Sequence, residues 1–391
     1  MHSSLDAQWR IAAIFFMHGF ANAMLHTRIP DLQLVAGLND AGLGLVLMGA
    51  PLGSMAMFPL ASPLIERFGT RRVTFAAFVM MLLAIPAMPL FASAIPLFVL
   101  LMANGAGSSL SAMTFNVEAD RVEHRIGRRV MNSCHGAWSI GYLLASASGA
   151  AIRGAAVPAA LHLGVLTVGI ALAALTLIAT TAPAPARAFT ASPGRRRFAL
   201  PSLVLLSLVA VGLGAELLEG ASRIWATILL RDTFEVAAWI ESSALPAMVV
   251  AMAIGRLVAD RWIDRFGPAA VSRLLLALAI VGLTMVATAF HPALVIIGFA
   301  ITGAGICVIY PLSISAAARL GDGPASQNVA TLTLIIQLVM LFAPMMTGFI
   351  AQQLGVRAAF GALIPLLALG WLMAGSLGSK TTDSALSRQA G

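Results

Sequence analysis

The 391-residue chain is 59% hydrophobic and only 10% charged, with a mean hydropathy of +0.92, which excludes a soluble domain of this length and implies a membrane protein. Its formal charge of +8 is spread in short basic clusters between apolar runs, so it reads as a topology signal on a lipid bilayer and not as a nucleic-acid face. Cys134 and Cys307 lie in apolar runs, with no disulfide framework and no metal-ligand spacing, and no phosphate-binding loop or other cofactor motif is present.

Apolar runs predict an all-α membrane protein of twelve transmembrane helices, at roughly 11–34, 42–65, 73–92, 96–118, 130–152, 155–180, 201–227, 237–259, 271–290, 293–318, 326–350 and 355–378. No small-residue cleavage site follows Met1 to Arg10, so the first span is expected to stay in the mature chain. Thr181 to Leu200, rich in Pro and carrying Arg195, Arg196 and Arg197, reads as a cytoplasmic linker between six-helix bundles at 1–180 and 201–391. Putting the N-terminus, alternate loops and C-terminus on one side gathers 19 of the 24 Lys and Arg there, Arg256 among them. Both termini are therefore expected in the cytoplasm. Glu66-Arg67-Phe68-Gly69 recurs as Asp264-Arg265-Phe266-Gly267, and Gly105-Ala106-Gly107 as Gly303-Ala304-Gly305, both 198 residues later, which reads as a six-plus-six duplication.

The first span carries His18, Asn22 and His26 at i, i+4 and i+8, with Arg28 just beyond; such a face is a candidate solute site, whereas a lone His would be a packing residue. In the fifth span His135, Trp138 and Tyr142 lie at i, i+3 and i+7. An aromatic ring stacking on a polar solute is one reading of Trp138, and an interface anchor the other. His162 reads as peripheral. The seventh span places Glu216, Glu219, Gly220 and Arg223 on one stripe of an apolar helix. Carboxyl groups in a low-dielectric cavity take up a proton more readily than in water, and a nearby cation opposes this, so Glu219 first, then Glu216, are candidates for proton coupling, with His26 beside them. A static pair of Glu219 with Arg223 is the alternative, and it leaves one carboxylate over. The 198-residue shift places His18 opposite Glu216. Asn104 and Asn116 in the fourth span, Tyr310 in the tenth and Gln337 in the eleventh complete the candidate solute ligands. Trp225, Trp239 and their charged neighbours read as outer-interface anchors.

The acidic-Arg-x-Gly loops after the second and eighth spans, Glu66-Arg67-Phe68-Gly69-Thr70-Arg71-Arg72 and its copy with Asp260, Asp264, Arg265 and Gly267, resemble the signature loop of the major facilitator superfamily. With Glu118, Arg128 and Gly69 these residues would form the cytoplasmic gate. Asn116-Val117-Glu118, Gly127-Arg128 and Ser133-Cys134-His135-Gly136-Ala137-Trp138, with Glu219-Gly220-Ala221 and Trp225, resemble the branch typified by the bacterial permease YbjJ and the rhizopine-transport protein MosC. That pattern has an Asp just before the Trp, where this chain has Ile224. The resemblance implies twelve helices, a cavity lined by spans one, four, seven and ten, alternating access, residence in the bacterial inner membrane, no enzyme activity and no cofactor. The expected function is secondary transport of a small polar solute, such as a sugar or cyclitol, coupled to protons and carried out by a monomer. Export of lipophilic cations by antiport is the alternative, and a non-transporting receptor a remote one.

Overall fold

The computed structural model describes residues 2–127, 130–184, 201–320 and 325–378. Among these the chain is helical throughout, with no strand. Twelve long helices follow one another: α1 (His2–His26), α2 (Asp40–Phe68), α3 (Thr70–Leu90), α4 (Ala94–Ile126), α5 (Met131–Gly154), α6 (Ala159–Thr180), α7 (Leu203–Thr233), α8 (Ala244–Phe266), α9 (Pro268–Thr288), α10 (Pro292–Ala318), α11 (Ala325–Leu354) and α12 (Val356–Gly378). Of the expected linker, residues 185–200 lie outside the described residues.

Ten of these are long and apolar enough by themselves to cross a membrane, and α1 and α5 are the two that are not. Those two carry the His18, Asn22, His26 and His135, Trp138, Tyr142 sets, so the polar residues that matter for a site also lower the hydropathy of the helices bearing them. Elsewhere helices present large apolar side chains outward, Leu257 at 81% and Leu203 at 82% exposure, as hydrocarbon contact requires.

Four helix interruptions have one cause. A proline has no N–H, so the carbonyl four residues earlier loses its helical donor. Pro30 ends α1 at His26, before the short helix Ile29–Val35. Pro51 interrupts α2 after Leu47, Pro365 interrupts α12 after Gly361, and Pro311 breaks α10 at Cys307 and Val308. The single span expected at 11–34 is therefore a helix, a break at Thr27 and Arg28, and a second short helix.

The chain forms two compact units. The first holds α1 to α6 with residues 235–243 and 344–352; the second holds the remainder of α7 to α12. In the first unit α1 lies on α5, and α4 packs against α2 and α3; in the second, α10 packs against α8 and α9, and α7 against α12. The duplication is visible contact by contact. A Cβ on Gly105 would overlap the Ala50 carbonyl, and one on Gly303 the Met248 carbonyl; Gly107 faces Ala77 and Met81, and Gly305 faces Leu275 and Ala279. Each pair recurs 198 residues on. The loop glycines do the same: Gly69 has φ 78° and ψ 156°, Gly267 φ 80° and ψ 157°, a region where a side chain is strained. Arg67 lies 5.2 Å over Phe68 and Arg265 5.2 Å over Phe266.

Candidate functional site

In the first unit the candidates converge on the α1–α5 contact. Gly19 on α1 abuts the Trp138 carbonyl, and Gly141 on α5 abuts the Phe16 carbonyl, so the two backbones meet where only glycine fits. This close approach brings the polar faces into register. Trp138 Nε1 donates to His18 Nδ1 at 3.1 Å. The indole can only donate, so in the neutral ring the proton sits on Nε2 and is given to the Ser108 carbonyl at 3.1 Å. His18 is buried and edge-on to Phe115 and Phe78; both nitrogens are spent, and it acts by fixing Trp138. Asn22 donates to the His18 carbonyl at 2.8 Å and accepts from Ser108 Oγ at 3.2 Å.

Trp138 stacks on Tyr142 at 5.2 Å with the rings 26° apart, and Tyr142 Oη is 3.1 Å from His26 Nδ1. His18, Trp138, Tyr142 and His26 thus form one continuous chain, with Trp138, His26 and Asn22 partly open and Tyr142 buried. His135 is exposed and edge-on to Phe15. Asn104 is buried in α4, and Asn116 turns back to the Ala112 carbonyl.

Arg28 lies apart from the aromatic chain. Its guanidinium donates to His162 Nδ1 (2.7 Å), Asp31 (2.9 Å) and the Val157 carbonyl (3.0 Å). Arg153 extends the cluster to Asp31, Glu241 and Ser242. His162 is therefore a partner of a buried arginine and not peripheral, a pairing across 134 residues of sequence that no local pattern signals.

In the second unit the α7 stripe is the open side of the helix where its flanking residues are buried. Glu216, Glu219, Gly220 and Arg223 are partly exposed, while Leu217, Leu218, Ala221, Ser222 and Trp225 are buried. Trp225 is fully buried, which corrects its assignment as an interface anchor: it is a core residue. Glu219 is paired with Arg223. Glu216 is the carboxylate of this stripe without an ion pair among the described residues. Arg256 stands within α8, as the expected span has it, and its Nε donates to the Cys307 carbonyl at 2.9 Å. Tyr310 hydrogen-bonds Thr333; Gln337 is exposed.

At the ends expected in the cytoplasm, Glu66 accepts from Ser62 at 2.9 Å, and Arg67, Gly69, Arg71, Arg72, Asp260, Asp264 and Arg265 are exposed. Gly267 is partly buried. Glu118 is buried and accepts from Thr70 Oγ1 at 2.7 Å and from the Ala184 amide. Arg128 lies outside the described residues. Glu123, near the end of α4, accepts from the Val130 and Met131 amides at 2.8 and 3.1 Å and caps the start of α5.

Residues 11–156 match the family model described as Major Facilitator Superfamily. The chain is 27% identical to the uncharacterised transporter y4wD of Sinorhizobium fredii, covering 92% of this chain and 97% of that one. It is 26% identical to the membrane protein MosC of Rhizobium meliloti, over 96% and 91%, and also to an uncharacterised MFS-type transporter of Yersinia pestis, over 90% and 91%. Solved structures share the fold: a bacterial homologue of the lysosomal transporter Spinster in an inward-facing, occupied conformation (TM-score 0.77, 14% identity, 95% and 96% covered), and a D-xylose-proton symporter (0.72, 15%, 96% and 98%). The helical architecture, the duplicated loops and these likenesses agree: the chain is a multi-pass inner-membrane protein that is similar, over nearly its whole length, to transporters of the major facilitator type.

Proposed function

We propose that the protein moves a small polar organic solute with a ring framework, a sugar or cyclitol, by alternating access, and that protons drive it. The observation that carries this reading is the Trp138–Tyr142 stack held between His18 and His26. An indole face accepts the apolar face of a ring polyol, and the partly open Asn22 and His26 offer polar contacts to its hydroxyls. A fold neighbour that is a D-xylose-proton symporter supports the same class. The two six-helix bundles at 1–180 and 201–391, the 181–200 linker, cytoplasmic termini and a monomeric state belong to this proposal, as does a cytoplasmic gate built from the Glu66 and Asp264 loops.

The proton-carrying role falls to Glu216. Glu219 is committed to Arg223, so the spare carboxylate of the stripe is Glu216, inside a spanning helix where an unpaired charge costs about 2.5–3.5 kcal/mol or more. Taking up a proton removes that cost, and releasing it restores a charge that substrate or a cation must answer.

A thermal-shift screen of the purified protein against D-xylose, myo-inositol, an amino-inositol and tetraphenylphosphonium tests the substrate class. Stabilisation by a ring polyol, lost in Trp138→Ala, is the expected result; stabilisation by the lipophilic cation alone would overturn it in favour of drug export. In proteoliposomes, Glu216→Gln should lose accumulation driven by a proton gradient while retaining exchange of the stabilising solute.

A further inference from the structure

Just beyond the end of α6 the chain is fastened to α4 by a backbone amide. Thr181 leaves the helix with φ −86° and ψ 119°, its hydroxyl turned back to the Leu177 carbonyl at 2.6 Å. Pro183 and Pro185 carry no N–H, so Ala184 is the one backbone donor in Pro183-Ala184-Pro185, and the following proline favours an extended backbone there. That donor goes to one oxygen of the buried Glu118 carboxylate, while the other oxygen accepts from Thr70 Oγ1 at 2.7 Å. Ala184 is 3% exposed and sits with Val122 and Val130 against Ala7 and Ile126. Val130 is held in turn by Glu123, which accepts its amide at 2.8 Å.

We propose that Glu118 is a positioning residue that clasps the chain after α6 to the Glu66–Arg72 loop, so that the two are released together. Thr70 is the first residue of α3 and directly follows Gly69 of that loop. Hydrogen bonds to a carboxylate are about twice as strong as neutral ones. With both donors in place the charge is answered where it is buried; with one missing, the carboxylate gains by turning to water, and the remaining donor loses its partner.

The clasped segment also closes a space. Thr181 and Pro183 line a small cavity together with Ile14, Thr74 and Phe115, so release of Ala184 opens this cavity to water. Thr74 Oγ1 lies 2.8 Å from the Thr70 carbonyl and 2.7 Å from Thr114 Oγ1, which anchors the start of α3 on α4 beside the clasp. All of these groups belong to the first unit, and the clasp holds whichever solute is carried.

Maleimide labelling of Ala184→Cys in full-length protein in nanodiscs tests the clasp. The native Cys134 and Cys307 are 0% and 1% exposed, and protein without the substitution sets their background. Glu118→Ala should speed labelling of the introduced thiol about tenfold or more, the effect of losing one hydrogen bond to a charged group; an unchanged rate overturns the clasp. The tie to the loop is read by hydrogen-exchange mass spectrometry. Ala184→Pro removes the amide donor, and peptides across 66–75 should then exchange faster than in wild type, whereas a merely local role for Glu118 would leave them unchanged and overturn the coupling. Thr70→Val removes the other donor and should speed exchange across 178–185; equal exchange there overturns it likewise. If Glu118→Ala does not fold, these two variants, which leave Glu118 in place, still decide.

Discussion

Tyr142 is 2% exposed, yet its hydroxyl reaches His26, so it links a buried stack to an open polar residue. Tyr142→Phe keeps the ring and removes this one bond, worth about 0.5–1.5 kcal/mol. Affinity for the stabilising polyol should fall by roughly three- to tenfold in calorimetry with little change in melting temperature. Trp138→Phe should cost more, because it leaves His18 Nδ1 as a buried acceptor without its donor. The His-Asn-His face of α1 and the aromatic face of α5 were legible from their spacing. The division of work between them was not, because which His is spent on packing depends on Trp138, 120 positions away.

At the level of helices, the α1–α5 contact depends on Gly19 and Gly141. Gly141→Leu would drive a branched side chain into the Phe16 backbone, and overpacking costs about 1–3 kcal/mol even where neighbours can yield. Backbone yields less than side chains, so this variant should lose its monodisperse peak in fluorescence-detected size exclusion, whereas Gly136→Leu, with open space around it, should keep its peak. Helix number and order were readable from apolar runs. The interruptions were also readable in principle, since each falls four residues before a proline; Pro59, Pro63, Pro86 and Pro344 lie inside continuous helices, so the rule gives candidates and packing selects among them.

For the whole molecule, the buried cluster of Arg28, Asp31, Arg153, Glu241 and His162 ties the 235–243 segment to the first unit. Removing one member strands its partners. Arg153→Leu, leaving Glu241 and Asp31 short of a cation, should destabilise by about 3–5 kcal/mol, seen as a large fall in apparent melting temperature. Replacing Glu241 by Gln keeps a hydrogen-bond acceptor and should cost less. The 198-residue period was legible as two short motifs and proves to govern interhelical contacts as well. It does not govern the chemistry. At the register of His18, Asn22, His26, Trp138 and Tyr142, the second half has Glu216, Gly220, Ile224, Ile336 and Met340. The glycine contacts and the Arg-on-Phe loops were kept in both copies while the residues between them diverged, one copy acquiring rings and the other charge. A duplicated gene here preserved its scaffold as shared inheritance and left the two descendants with different side chains at the same register, rings in one and charges in the other.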